Sequence, residues 1–208
     1  MRPFVVLSCL AALGLATHDA GADLFKCVGT DGRTAYQAEP CAQAAQEKRI
    51  RTTTTAQAGE IGPNGVELLD VTQTAQRIAS QRGRPSVVLL YSTTCPLSRQ
   101  MFPEFVAIAN RYRARGVDFL VFSTDQEEQF GEVPAFLAER NAPFVPVALK
   151  RWAPGSLGRA MSPLGIEVRE TWVRPLIAVR DSSGKIIAQG EAVTNLAPLQ
   201  AALNSLAR

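Results

Sequence analysis

After residue 65 the hydrophobic pattern changes period several times. Val87 to Tyr91 is an unbroken apolar, β-favouring run, as expected of a strand covered on both faces, whereas Met101, Phe105, Ile108, Ala109 and Tyr112 recur at helical spacing. A strand therefore leads through Ser92-Thr93-Thr94 into a helix that starts at Cys95. Upstream, Val66 to Leu69 reads as a short strand. Asp70 and Gln73 make a capping-box pattern, and Ala75, Ile78 and Ala79 share a helical face that ends by Gly83-Arg84-Pro85. Downstream, Leu176 to Val179 and Lys185 to Ala188 flank the turn-forming cluster Asp181 to Gly184, which predicts two antiparallel strands. Leu196, Leu199, Leu203 and Leu206 predict a last helix, capped by Thr194 or Asn195. Strands that alternate with helices place this part of the chain in the α/β class.

Before residue 66 the pattern is of another kind. Arg2, an apolar core from about Phe4 to Leu15, and the small-x-small site Ala20-Gly21-Ala22 predict a secretory signal peptide over residues 1–22 and a periplasmic mature chain starting at Asp23. The apolar stretch is short of the roughly 20 residues a membrane-spanning helix needs. Residues 23–45 read as a small unit: Asp31-Gly32 lies between two short β-like runs, a strong hairpin signal. Ala42 to Arg51 is polar and helix-compatible, and residues 46–65 as a whole are expected to form a linker. The remainder, 66–208, is the main domain.

Four cysteines sharpen this division: Cys9 within the predicted leader, Cys27 and Cys41 in the small unit, and Cys95. In an oxidising compartment Cys27 and Cys41 can pair, which leaves Cys95 as the odd thiol. So small a unit cannot build a sufficient core, and a bridge closing a loop of about 15 residues supplies on the order of 3 kcal/mol. The same bridge could instead be a redox switch or a substrate of Cys95. At a helix start, unpaired amides attract a negatively charged sulfur, the reactive form of a thiol.

The strand-to-helix cysteine resembles the thioredoxin superfamily, and within it the periplasmic TlpA-like branch. Pro103 stands eight residues after Cys95, where that family kinks its helix, and Pro175 fits the family's cis-proline opposite the active site. Between these landmarks Val117 to Phe122 reads as a strand, Ala135 to Arg140 as a short helix and Phe144 to Leu149 as an extended piece, matching the insertion of TlpA-like members. The resemblance implies a thioredoxin-like fold, a central mixed sheet flanked by helices, and thiol-disulfide exchange. Three residues depart from it: Ser98 stands for the resolving cysteine, Thr94 for an aromatic residue, and Arg174 for a small or β-branched one. Because Ser98 cannot form an S–S bond, an outside thiol must release the partner. The small unit, with aromatic-basic-Cys, Asp-Gly, Tyr and Pro-Cys in order, resembles a short N-terminal domain of unknown function found on exported proteobacterial proteins.

Absences narrow the chemistry further. The single histidine, His18, lies in the predicted leader, so the mature chain has no imidazole for a Ser-His-Asp or Cys-His hydrolase or for a histidine-bearing metal site. No cofactor or metal is expected. Gly155-Ser156-Leu157-Gly158 lacks the ending of a phosphate loop and reads as a turn opening a short helix from Ser156 to Met161. The net charge of +3 is dispersed. Arg111, Arg113 and Arg115 diverge around a helix and read as a solvated surface with no nucleic-acid partner. Arg99, one turn past Cys95, and Arg174, beside Pro175, are the cations expected near the sulfur, able to activate the thiol or hold a partner's carboxylate.

The sequence thus predicts a monomeric, exported monothiol protein. Cys95 attacks, Pro175 shapes a groove for the partner's extended backbone, Ser98 at most donates a hydrogen bond, and the partners are protein or small-molecule thiols and disulfides. The alternative is a non-catalytic module that docks extended peptides in the same groove.

Overall fold

The computed structural model describes residues 59–206, together with the backbone of three strands nearer the N-terminus. The chain divides into two units, residues 1–55 and 56–208. In the first, β1 (Asp23–Val28) pairs antiparallel with β2 (Thr34–Gln37) on one side and with β3 (Gln46–Arg51) on the other. The helix-compatible reading of 42–51 is corrected by β3, whose Glu47 lies opposite Cys27 and whose Ile50 lies opposite Leu24. Helix-favouring composition gives way here because strand preference follows the pairing partner more than the residue type. The expected linker 46–65 likewise contains β3 and, in the second unit, β4 (Glu60–Ile61) and a 3-10 turn at Pro63–Gly65. The predicted leader and the Cys27–Cys41 pairing lie outside the described residues.

The second unit follows the predicted alternation closely. In chain order come β5 (Glu67–Leu69), α1 (Val71–Ala79), β6 (Ser86–Tyr91), α2 (Pro96–Arg113), β7 (Asp118–Ser123), α3 (Val133–Glu139), β8 (Val147–Leu149), α4 (Pro154–Met161), β9 (Leu176–Arg180), β10 (Ile186–Glu191) and α5 (Ala197–Leu206). They build a seven-stranded mixed sheet in the order β10-β9-β6-β7-β8-β5-β4. The Asp70–Gln73 capping box is present in both directions, at 2.8 and 3.0 Å. At α5 it is Asn195 that takes the capping role, its side chain accepting from the Ala197 N–H at 2.9 Å.

All of β6 is buried, as its unbroken apolar run requires. Its alternate residues feed two separate cores. Val87, Leu89 and Tyr91 pack with Ile177 and Val179, with Phe102 and Phe105 of α2, and with Leu199 and Leu203 of α5. Val88 and Leu90 face the other way, with Leu176 and Ala178, Ile78 of α1, and Leu157 and Met161 of α4. The expected extended piece 144–149 is shorter, only Val147–Leu149. Phe144 instead turns onto the aromatic cluster, 5.9 Å from Phe105 and 6.3 Å from Phe102 between ring centroids.

Candidate functional site around Cys95

Strand direction brings the site together. β7 runs parallel to β6 with Ser123 opposite Tyr91, so both strands end at the same sheet edge, while β9 runs antiparallel and starts there, with Leu176 opposite Leu90. The segment after Tyr91, the segment after Ser123 and the residues before Leu176 therefore converge although they are far apart in sequence.

Cys95 is the N-cap of α2, with Pro96 in the first turn, where a missing N–H costs nothing. The Arg99 N–H donates to the Cys95 carbonyl at 3.0 Å and starts the helix. The thiol is free and half-buried. The Arg174–Pro175 peptide bond is cis, and the Cys95 Sγ lies 3.6 Å from the Arg174 carbonyl oxygen as donor to acceptor. Ser98, one turn into α2, is fully buried, and its Oγ accepts the Ser92 N–H at 3.3 Å. The hydroxyl thus ties the helix to the loop that precedes it.

The two arginines singled out in the sequence behave differently. Arg99 is exposed and folds back to donate from Nη1 to the Thr93 carbonyl at 2.9 Å, with its guanidinium 5.8 Å from the Phe136 ring centre. Arg174 is half-buried. Its Nε donates to Thr124 Oγ1 at 2.6 Å, and its guanidinium lies 5.1 Å from the Trp152 ring and 5.2 Å from the Trp172 ring. Burial draws this guanidinium below its usual pKa, with the negative charge of Asp125 working against the shift.

Asp125 was not anticipated from the sequence. It is 2 % exposed and gathers the loop before Cys95: Ser92 Oγ donates to Oδ1 at 2.5 Å, the Thr93 N–H to both oxygens at 3.0 Å, and Ser123 Oγ to Oδ2 at 2.7 Å. Ser92 Oγ also accepts the Thr94 N–H at 3.2 Å and lies 3.0 Å from Thr94 Oγ1. Thr124 closes the arrangement, donating from both N and Oγ1 to the Tyr91 carbonyl, at 2.7 and 2.8 Å. The available signal was a strand that ends in Ser123-Thr124-Asp125, three short hydrogen-bonding residues directly after Phe122.

Beneath the loop, Tyr91 lies 5.0 Å from Phe102 and 5.6 Å from Phe136, ring centre to ring centre. Burial, and secondarily the negative charge of Asp125, push the Tyr91 phenol well above its ordinary pKa, so it stays a neutral hydroxyl. Among the described residues, no group of three His, Cys, Asp or Glu side chains converges as metal ligands do, and no helix is long and apolar enough to cross a membrane. The arrangement therefore offers one free sulfur at a helix start, a backbone carbonyl facing it, and no second sulfur within the turn.

Comparison with known proteins agrees with this fold. A solved thiol:disulfide interchange protein of the thioredoxin family from Chlorobium tepidum TLS shares it with a TM-score of 0.50, at 18% identity over 90% of this chain and 96% of that one. A secreted disulfide oxidoreductase from Mycobacterium tuberculosis, described as homologous to E. coli DsbE, matches at 18% identity with a TM-score of 0.47 over 62% of this chain and 86% of that one. No protein with a curated description matches. Residues 11–60 match a domain of unknown function, DUF4124, which agrees with the resemblance seen in the small unit. Residues 57–202, the greater part of the chain and all of the elements that build the Cys95 site, match the Redoxin family, and the chain belongs to that family within the thioredoxin superfamily.

Proposed function

We propose that this protein carries out thiol-disulfide exchange through Cys95 as a single nucleophile. The observation that carries the reading is the half-buried free sulfur at the start of α2, 3.6 Å from the carbonyl beside Pro175. In the first step the Cys95 thiolate attacks one sulfur of a partner disulfide. A Cys95–partner S–S bond forms, the partner's own S–S bond breaks, and the second partner sulfur leaves as a thiolate. Ser98 has no sulfur with which to reverse this, so a thiol from solution attacks the mixed disulfide and restores Cys95. Partners are protein or small-molecule thiols and disulfides. An extended partner backbone would lie along the residues before β9, with Pro175 shaping its path.

The same reading makes the chain an exported, periplasmic protein, with a leader over residues 1–22 and a Cys27–Cys41 bridge that staples the small unit. Cysteine parity and the small-x-small site support it. Intact mass and peptide mapping of protein recovered from the periplasm test both points.

For the exchange reaction, the purified protein is incubated with a disulfide-bonded peptide, quenched in acid and resolved without reductant. A covalent adduct that maps to Cys95, persists until free thiol is added, and is missing in Cys95→Ala is the expected result. If the native protein forms no adduct, the peptide-docking alternative takes its place.

A further inference from the structure

Arg180 ends β9 at the edge of the sheet opposite to Pro175. The strand advances about 17 Å between those residues, so Arg180 lies at the far pole of the sheet from Cys95. Its side chain shares the face of Leu176 and Ala178, and the residue is 3 % exposed. Nη1 donates to the Ile78 carbonyl in the last turn of α1 at 2.7 Å, and Nε to the Gly184 carbonyl at 3.2 Å. Gly184 has φ 89°, which favours glycine in the turn, and a Cβ there would stand 2.8 Å from Arg180 Nη2.

Carbonyl oxygens satisfy donors but do not neutralise charge. Among the described residues Arg180 has no ion pair, and Nη2 has no hydrogen-bond acceptor. The neighbouring carboxylate, Asp181, is turned into its own loop, where it accepts the N–H groups of Ser183 and Lys185 and the Ser183 hydroxyl. Arg180 instead lines a cleft of about 540 Å³ with two further cations, Arg82 and Lys185, both exposed. Ala79, Leu164 and Ile186 form an apolar wall of the same cleft. Burial and the nearby Arg82 both disfavour the charge on Arg180, with Asp181 partly opposing them. The lining of the cleft holds a buried guanidinium, two exposed cations and no carboxylate, so with the one negative charge of the neighbouring Asp181 it stays net positive. The α1 C-terminus opposes an anion here, but its Ile78 carbonyl is already capped by Arg180.

We propose that this cleft binds a phosphate-type oxyanion, free or as the end group of a small molecule whose body rests on the apolar wall. Arg180 Nη2 and the Arg82 fork supply directional donors, and Lys185 supplies a movable point charge. The site is separate from Cys95 and independent of thiol chemistry.

The test is a titration of the purified protein with inorganic phosphate and, in a second arm, phenyl phosphate, at constant ionic strength, followed by amide chemical shifts. Saturable shifts are expected from Ala79 to Arg82 and from Ser183 to Ile186, with none from Ser92 to Ser98. Tighter binding of phenyl phosphate assigns the cleft to an organic phosphate, and equal binding to the free ion. Because Arg180 also holds two structural carbonyls, the decisive variant is the exposed pair Arg82→Ala with Lys185→Ala, which should bind about tenfold more weakly. Shifts that fail to saturate, that map elsewhere, or that are unchanged in the double variant overturn the proposal.

Discussion

The Cys95 sulfur lies 3.6 Å from the carbonyl oxygen of Arg174, a residue 79 positions later in the chain. Two devices hold the pair in place. On one side, Asp125 and Ser98 fix the Ser92–Thr93 backbone that leads to the cysteine. On the other, the Arg174 side chain is tied to Thr124 and lies within 5.2 Å of both tryptophan ring centres. The carbonyl facing the sulfur is therefore positioned by its own residue's side chain.

Replacing Arg174 by Ala should cost about 1–2 kcal/mol of stability, because it removes the cation from both indole faces and the bond to Thr124. Arg174→Lys should recover little of this, since an ammonium lacks the planar fork. Trp152 and Trp172 are the only tryptophans in the sequence, with ring centres 6.0 Å apart. Selectively excited tryptophan fluorescence therefore reports on this place alone, and it should change in both variants while the secondary structure seen by circular dichroism does not.

Ser98→Cys should convert the site into a self-resolving pair. The introduced sulfur lies one turn from Cys95, and after oxidation peptide mapping should find the two sulfurs bridged. Adducts with a disulfide peptide should no longer accumulate, and insulin reduction should rise. Ser98 is fully buried and accepts the Ser92 N–H, so exchanging oxygen for the weaker sulfur acceptor should also cost about 1 kcal/mol in denaturant unfolding.

Asp125→Ala leaves the Thr93 N–H and the hydroxyls of Ser92 and Ser123 without their buried acceptor. The expected loss is about 3 kcal/mol or more in urea unfolding. Adduct formation at Cys95 should slow in the folded fraction, because the loop before the cysteine loses its fixed point. Asp125→Asn keeps one acceptor oxygen and should lie between the two.

Acid should weaken the second unit partly through Glu67. Its carboxylate meets Arg77 at 2.5 Å and accepts the Gly59 N–H at 2.9 Å. The Arg77 hydrogen bond holds its pKa below the ordinary carboxylate value, with burial opposing. Since the folded pKa is the depressed one, the contribution is fully present above the unfolded carboxylate pKa of about 4.3 and is lost as pH falls through the folded value. For this partly exposed pair the contribution is about 1 kcal/mol. Thermal unfolding against pH should show a smaller drop across that window in Glu67→Gln than in the native protein.

Much of the second unit was legible because each element has a local physical cause. The run Val87 to Tyr91 is short, apolar and β-favouring, as a strand buried on both faces requires, and Asp70 with Gln73 marks a helix start through bonds only three residues apart. Cys95 stands out in the sequence because it lies at the boundary of such an element, and Pro175 because the resemblance to the thioredoxin superfamily places a proline just before β9. Gln46 to Arg51 is not legible in this way, since nothing local favours a strand there and its conformation comes from pairing with Asp23 to Val28.

In the second unit the order of strands and helices, the position of Cys95 and the lack of a second sulfur at Ser98 are properties of neighbouring residues, and the linear order suffices for them. Asp125 beside Ser92, Arg174 against Trp152, and Arg180 beneath Ile78 join residues as far as 102 positions apart. Such contacts depend on which strands neighbour each other and in which direction they run, because only sheet register brings distant side chains within hydrogen-bonding reach.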